Sequence, residues 1–363
     1  MKTLFTVLMF CAALLSSGYG VSLKKLATFN GMGAPKSVEV SPDGTWVTVM
    51  NLEGMDVTII DPKTLKVIKK VNFAPYKTAA TGHNYATKQK IASFAEKPVE
   101  CGFSPDGQYA WVSFHNGACV VRIDKNEMDP PADMLVQKCK IEDKINNKTY
   151  IKTLPKVKVL STPKVVQVSP DGKLVLVANW FGESVSVIDA VTMKKLKDIK
   201  TGSGVIPRGI AITSDSKTAY VANMAGGTIA VLDLVTLTKV KSLSISPNPR
   251  HIVLSPDDKF LYITDNSGGK VIKYDIAAGK IAKTMYVGAQ ARTVAITPDG
   301  QYLIVAAHGS DEIAILNSGD LKILYKTKFT KPMGISVSPD GKQVWVSSYG
   351  GGYVTAFELV LDK

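Results

Sequence analysis

Apolar residues in this chain recur in short alternating runs. One run precedes a tight turn, as in "VVQVS" and "GIAIT", and a second follows it, as in "LVLVAN", "AYVAN" and "LYITDN". Small residues come next, then a third run such as "SVSVID" or "TIAVLD" and a fourth such as "KKLKDIKTG". Period-two patterning in runs this short predicts half-buried or sandwiched β-strands. The turn is written "SPDG" at Ser41, Ser104, Ser169 and Ser338, "TPDG" at Thr297, "SPDD" at Ser255 and, degenerately, "TSDS" at Thr213. Proline presets φ at the second position, Ser or Thr bonds back to the backbone, and glycine supplies a positive φ where the chain re-enters the sheet. Ser216 and Asp258 replace that glycine in two copies. Asp tolerates a left-handed backbone better than Ser, so the fourth repeat is expected to turn differently.

The seven turns start 63, 65, 44, 41, 42 and 41 residues apart. Four strands in a repeat of about forty residues make a propeller blade. The last repeat supplies only three strands, around "GISVS", "QVWVSS" and "YVTAFEL". The stretch "VSLKKLATF" near the N-terminus resembles a fourth strand such as "LKVIKKVNF" and would complete blade seven, leaving no open end. The expected fold is all-β: a seven-bladed β-propeller of four-stranded blades, the last closed by the N-terminal strand. It forms a single domain over residues 21–363, although length alone suggests two.

The strings "AYVAN", "LVLVAN" and "LYITDN" after "SPDG"-like turns resemble the YVTN repeat family of seven-bladed propellers, over nearly all of the chain after residue 20. The resemblance implies an exported binding protein, many members having no assigned activity; related seven-bladed propellers include lactone hydrolases, and fold alone does not separate these outcomes. It also implies a face assignment. The innermost strand of each blade lines the central channel, and the loops entering it and joining the second and third strands open on one face. The "SPDG" turns lie on the other.

That assignment gives the channel mouth a composition. Lys36 in "PKSVEV", Lys164 in "PKVVQV", Arg208 in "PRGIAI", Arg250 in "PRHIVL" and Arg292 in "ARTVAI" occupy equivalent places, with Val99 and Met333 as exceptions. Five cations around one opening are either compensated by acidic residues or built to receive an anion, and Arg suits a carboxylate or phosphate by bidentate bonding. Matched positions in the second-to-third strand loops read Leu52, His115, Trp180, Met224, Asn266, His308 and Tyr349. Varied identity on a repeated scaffold suits a binding surface. Trp180 and Tyr349 are candidates to stack on a sugar, a base or a flat ring, or else cover blade edges. The candidate ligand-binding residues are therefore Lys36, Lys164, Arg208, Arg250, Arg292, His115, Trp180, His308 and Tyr349. All four histidines, with His83 and His251, map to this face, but none has metal-ligand spacing, so no metal or other cofactor is expected.

Two insertions break the even spacing. Residues 74–97 lie between blades one and two and are expected to emerge on the cation-ringed face. In residues 125–162, "MLVQKCKIE" reads as the fourth strand of blade two with "DKINNKTYIKTLPKVKVL" as a basic extra hairpin, or, in reverse, "KVKVL" is the fourth strand. Asn147-Lys148-Thr149 is a glycosylation sequon, meaningful only in a source that glycosylates exported proteins. Asp61, Asp124, Asp189, Asp233 and Asp275 end third strands and read as structural turn residues.

Residues 1–20 stand apart. Lys2, an apolar run from Leu4 to Leu15 and then small residues read as a cleaved secretion signal, which places the protein in the periplasm or outside the cell. No later stretch is apolar enough to span a membrane. Cys101, Cys119 and Cys139 then remain, enough for one disulfide and one free thiol, with the pairing open. The formal charge of +13 favours anionic neighbours without choosing among them.

No GxSxG elbow, P-loop, HExxH or CxxC is present. The leading reading is a secreted, monomeric, non-catalytic propeller that binds an anionic or carbohydrate-like small molecule or polymer, or a protein, on its channel face. Two alternatives stand beside it: a lactonase-like hydrolase at the channel mouth, and nucleic-acid binding through basic charge and Trp180, which predicts a steep loss of affinity with salt.

Overall fold

The structure is a computed structural model and describes residues 20–79, 93–95 and 97–361. Its strands fall into seven four-stranded antiparallel blades. Blade four shows the pattern, with Pro207–Ile212 innermost, then Thr218–Asn223, Thr228–Asp233 and Thr238–Ser244 outward. The innermost strands of the others are Pro35–Val40, Pro98–Phe103, Pro163–Val168, Pro249–Leu254, Ala291–Ile296 and Pro332–Val337. Strand Val21–Phe29 pairs antiparallel with Tyr353–Leu361, from Val21 opposite Leu361 to Phe29 opposite Val354, so the first strand closes the last blade. The secretion signal read from residues 1–20 lies outside the described residues apart from Gly20. No described helix is long and apolar enough to cross a membrane.

Sandwiching between neighbours explains the apolar runs. Second strands such as Val47–Asn51 and third strands such as Ser184–Asp189 are buried along most of their length, on both faces. The buried apolar side chains form seven clusters, each shared by two consecutive blades. The stabilising burial therefore lies between sheets and repeats around the ring. Outer strands face water, and they carry lysines there: "KLKDIK", "TKVKSLS" and "KIAKTMY" are mostly exposed. Charge on an exposed edge discourages pairing with another chain.

Blades one and two depart from this scheme. Strand Lys148–Lys158 pairs with the third strand of blade two through Cys119, Val120 and Val121, so the "KVKVL" end supplies the fourth strand and "MLVQKCKIE" does not. Strand Val136–Asp143 lies between that strand and Lys66–Asn72 of blade one, pairing with both. One nine-stranded sheet results, and the outer edges of two blades become a continuous ladder. A strap of this kind removes two free edges at once. The other insertion contributes a small pair, Lys77–Ala79 with Ser93–Ala95; residues 80–92 and 96 of it, His83 included, lie outside the described residues.

All three described cysteines are buried in the cluster beneath the strap, and none is bonded to another. The one disulfide that their number allowed is not formed. Burial pushes the Cys139 thiol up to about 12.

The repeated turns are built from their own side chains. Ser41, Ser104, Ser169, Ser255 and Ser338 each donate a hydroxyl to the Asp two residues on, at 2.5–2.6 Å. Ser216 and Asp258 adopt φ of 61° and 56°, in the same left-handed region as the glycines they replace. The fourth repeat therefore does not turn differently. At the far end of the third strands, Asp61, Asp189, Asp233 and Asp275 accept backbone N–H groups of the following turn, a structural role.

Candidate ligand site at the channel mouth

One backbone bond recurs at every blade and builds the mouth. The N–H of Leu52, His115, Trp180, Met224, Asn266, His308 and Tyr349 donates to the carbonyl of Ala34, Lys97, Thr162, Ile206, Asn248, Gln290 and Lys331 respectively, at 2.7–3.2 Å. Each acceptor lies two residues before Lys36, Val99, Lys164, Arg208, Arg250, Arg292 or Met333. The bond ties each second-to-third strand loop to the start of an innermost strand. The two sets of residues expected from the sequence thus share one rim.

Pairing between first and second strands also shifts register near that start, as between Pro163 and Val166 or Pro207 and Ile210. A local break in the ladder frees the second residue from the pleat and re-aims its side chain. Hydroxyls from the preceding blade then hold the backbone there. Ser113 donates to the carbonyl of Lys164 at 2.6 Å, and Thr264 to that of Arg292 at 2.8 Å. Gly209 allows a close approach in the same layer: a Cβ there would lie 2.9 Å from Cα of His251 and 3.0 Å from the carbonyl oxygen of Arg250.

All five cations are the second residues of innermost strands, and three of them, Lys164, Arg208 and Arg250, are no more than 5% exposed. Their partners are uneven. Arg208 forms an ion pair with Glu100, Nη2 to Oε1 at 2.6 Å. That carboxylate comes from the innermost strand of blade two, so the pair skips blade three. Arg250 donates to the sulfur of Met224 at 3.4 Å. Arg292 and Lys36 both point to the sulfur of Met333, at 3.9 and 3.6 Å. The non-basic position in blade seven is thus a weak shared acceptor between blades six and one.

The aromatic residues are already engaged. The Lys164 ammonium sits 4.2 Å from the Trp180 ring centre and the Arg208 guanidinium carbon 5.9 Å from it. Lys36 lies 5.4 Å from the ring of Tyr349. Ring faces carry partial negative charge, so these contacts soften the cluster without neutralising it. Trp180 and Tyr349 are therefore supports for cations in this structure rather than open stacking platforms.

Charge crowding shows in the titrating groups. Burial first, and then Arg250, Arg208 and Lys164, hold the Lys36 ammonium well below its usual range. Burial and Arg208 do the same to Lys164. Arginine does not release its proton in proteins, so the lysines absorb the strain. The histidines are kept neutral by burial and by the same cations. His115 is pushed down to about 2, His251 and His308 to about 4. Lys164 donates to Nδ1 of His115 at 2.6 Å. Nδ1 of neutral His308 donates to the carbonyl of Pro332 at 3.1 Å, which leaves Nε2 unprotonated.

The mouth contains acidic residues that sequence reasoning missed. Glu100 is half-buried, and against the cost of that burial Arg208 and Lys36 hold it ionised. Glu39, deeper on the innermost strand of blade one, is pushed well up by burial and by Glu100. Ionised Glu100 thus stands against Arg208, Lys36 and Lys164 together. The clue lay in "PVECGF" and "PKSVEV", where glutamate interrupts an innermost strand. Nε and Nη1 of Arg208 are buried without a hydrogen-bond partner. Buried donors without partners carry a desolvation cost that an arriving acceptor would relieve.

Against known proteins, a family profile described as "Lactonase, 7-bladed beta-propeller" matches residues 188–322. That stretch runs from the end of the third strand of blade three to just before the fourth strand of blade six and carries Arg208, Arg250 and Arg292. Among solved structures, the chain is similar to one described as Kuenenia stuttgartiensis hydrazine synthase, with a TM-score of 0.69 at 21% identity. The match covers 92% of this chain and 97% of that one. At that identity the likeness shows the fold alone. No curated protein sequence matches.

Proposed function

We propose that this protein is a non-catalytic binding propeller that captures an anionic small molecule at the cation-lined channel mouth. The observation that carries the reading is the convergence of Lys36, Lys164, Arg208, Arg250 and Arg292 on one opening where Glu100 is the firmly ionised carboxylate. A ligand carrying a carboxylate or phosphate would supply the missing counter-charge. It would also meet planar donor groups suited to either oxyanion. Action outside the cytoplasm, read from residues 1–20, belongs to the same proposal. N-terminal sequencing of the native protein tests it.

The binding test leaves Arg208 in place, because its removal would strand Glu100 in a buried setting. Thermal unfolding of the parent and of the Arg250→Gln, Arg292→Gln double variant is followed with inorganic phosphate and citrate. The parent should gain stability with either anion and the double variant should not. An identical response in both would end the reading.

Similarity to the lactonase profile over residues 188–322 favours a second reading, hydrolysis of a lactone. Arginines would steady the oxyanion formed when water attacks the carbonyl, and then hold the carboxylate product. The weak point is the base: His251 and His308, near 4, are poor proton acceptors at neutral pH. Acid release from carboxylated γ- and δ-lactones, measured at constant pH, separates the two readings.

A further inference from the structure

On the opposite face, between blades two and three, lies a cleft of about 440 Å³. Its floor is formed by Arg122, Tyr109 and Trp111, and its walls by the turns around Pro105, Pro170 and Val191. Pockets that hold small molecules are commonly of this size.

Arg122 is out of place in the repeat. It is the fourth residue of its third strand, where the other blades carry Ile59, Val187, Val231, Ile315 and Ala356, with one further exception, Lys273. The two cations are built alike. The Arg122 guanidinium carbon lies 4.4 Å from the Tyr109 ring centre and 5.7 Å from that of Trp111. The Lys273 ammonium lies 4.1 Å from Phe260 and 5.8 Å from Tyr262, at the same two strand positions.

They differ in what completes them. Lys273 donates to the carbonyls of Ser318 and Gly319, at 3.1 and 2.8 Å, in the turn after the third strand of the next blade. Arg122 faces the equivalent turn, Ala190 and Val191, across open space. Among the described residues no carbonyl or carboxylate takes its guanidinium, and Nε is buried without a hydrogen-bond partner. Blade five thus closes with an internal acceptor the site that blade two leaves open.

We propose that this cleft is a second ligand site, separate from the channel, for a small monocarboxylate with an apolar body. The carboxylate takes the oxygen positions that Ser318 and Gly319 fill around Lys273. Its apolar part lies on Pro105, Pro170 and Val191. Asp106 and Asp171 stand in the same lining, and their charge opposes any anion there, a phosphate or polycarboxylate more than a monocarboxylate held directly on Arg122. The two faces then select different anions: the channel mouth accepts multiply charged ones, the cleft only singly charged ones.

The test uses 3-phenylpropionate as probe and the side-chain Nε–H resonance of Arg122 as reporter, in the full chain. The acid should shift this resonance saturably. 3-Phenylpropanamide should bind at least about tenfold more weakly, since it lacks the charge. Calorimetric binding of the acid should be lost in Arg122→Gln and kept in Arg292→Gln. Citrate should leave the Arg122 resonance unmoved. An Arg122 resonance that does not respond to millimolar probe would overturn the proposal, and so would equal binding of acid and amide. If Arg122→Gln fails to fold, Arg122→Lys serves in its place. It keeps the charge but loses the planar fork, and undiminished acid binding by it would count against the site.

Discussion

Ser214 donates both its backbone N–H and its hydroxyl to Oδ2 of Asp258, at 2.8 and 2.6 Å. Ser214 replaces the proline of the fourth turn and Asp258 the glycine of the fifth, and they depart from "SPDG" together. At four other junctions, Gly44, Gly172, Gly300 and Gly341, the glycine of one turn lies against the proline of the turn before it, whereas Gly107 lies against Asp43. A Cβ on Gly172 would meet Cδ of Pro105 at 3.6 Å, one on Gly300 would meet Pro256 at 3.0 Å, and one on Gly341 would meet Pro298 at 3.6 Å. At Ser214 the missing ring exposes an N–H, and Asp258 supplies the acceptor. Between blades three and four, Ser216 accepts the N–H of Asp171 at 3.0 Å. Degenerate turn letters are thus exchanged contacts between blades.

The exchange is testable as a cycle. Ser214→Pro alone removes both donors and Asp258→Gly alone removes the acceptor. Each should cost about 1 kcal/mol. Together they restore the proline–glycine contact, and chemical denaturation of the double variant should give a stability within about 0.5 kcal/mol of the parent. Strictly additive losses would refute the coupling.

Gly209→Ala should be costly for its size. The new methyl group meets backbone of the neighbouring blade at 2.9–3.0 Å, and neither strand can move without shifting Arg208 and Arg250. Overpacking of this kind costs about 1–3 kcal/mol. Anion affinity should fall with stability, whereas a purely structural lesion would leave the affinity of the folded fraction untouched.

Removing the carboxylate at the mouth should split stability from binding. Glu100→Gln leaves Arg208 buried without its counter-charge, at a cost of about 3–5 kcal/mol. The same change frees Arg208 for a ligand, so phosphate should bind more tightly to the variant than to the parent. Calorimetry showing equal or weaker binding would mean that Arg208 does not face the ligand.

Ligand capture should draw protons from solution. Lys36 and Lys164 are held below their usual range by burial and by the surrounding cations. An anion placed among them raises both, and the complex takes up protons over the range in which the two lysines titrate. Binding enthalpies measured in two buffers of different ionisation enthalpy report this number directly. A value of zero, or proton release, contradicts the arrangement.

Acid should weaken the free protein before carboxylates elsewhere titrate. His251 and His308 stay neutral in the folded chain until about pH 4, against an ordinary value of 6.5. Between those values the unfolded chain binds more protons than the native one, so stability falls as pH drops through the window. His251→Gln should flatten that part of the thermal stability profile, and an unchanged slope would show that the ring is already protonated in the native state.

Blade number, the order of strands in the regular blades, the closing role of "VSLKKLATF" and the equivalent strand positions of the five cations were legible in the sequence. Each is carried by local chemistry that repeats: a two-residue period, a turn with its own hydrogen bonds, and a fixed offset from turn to strand. The pairing of Glu100 with Arg208, 108 residues apart and two blades on, was not. Neither was the strap that gives blade two its outer strand from Lys148–Lys158, nor the difference between Arg122 and Lys273. Those depend on how far each side chain reaches across a closed ring and on what the adjoining blade presents there. A repeat specifies its own sheet, but only closure of all seven decides which charges meet.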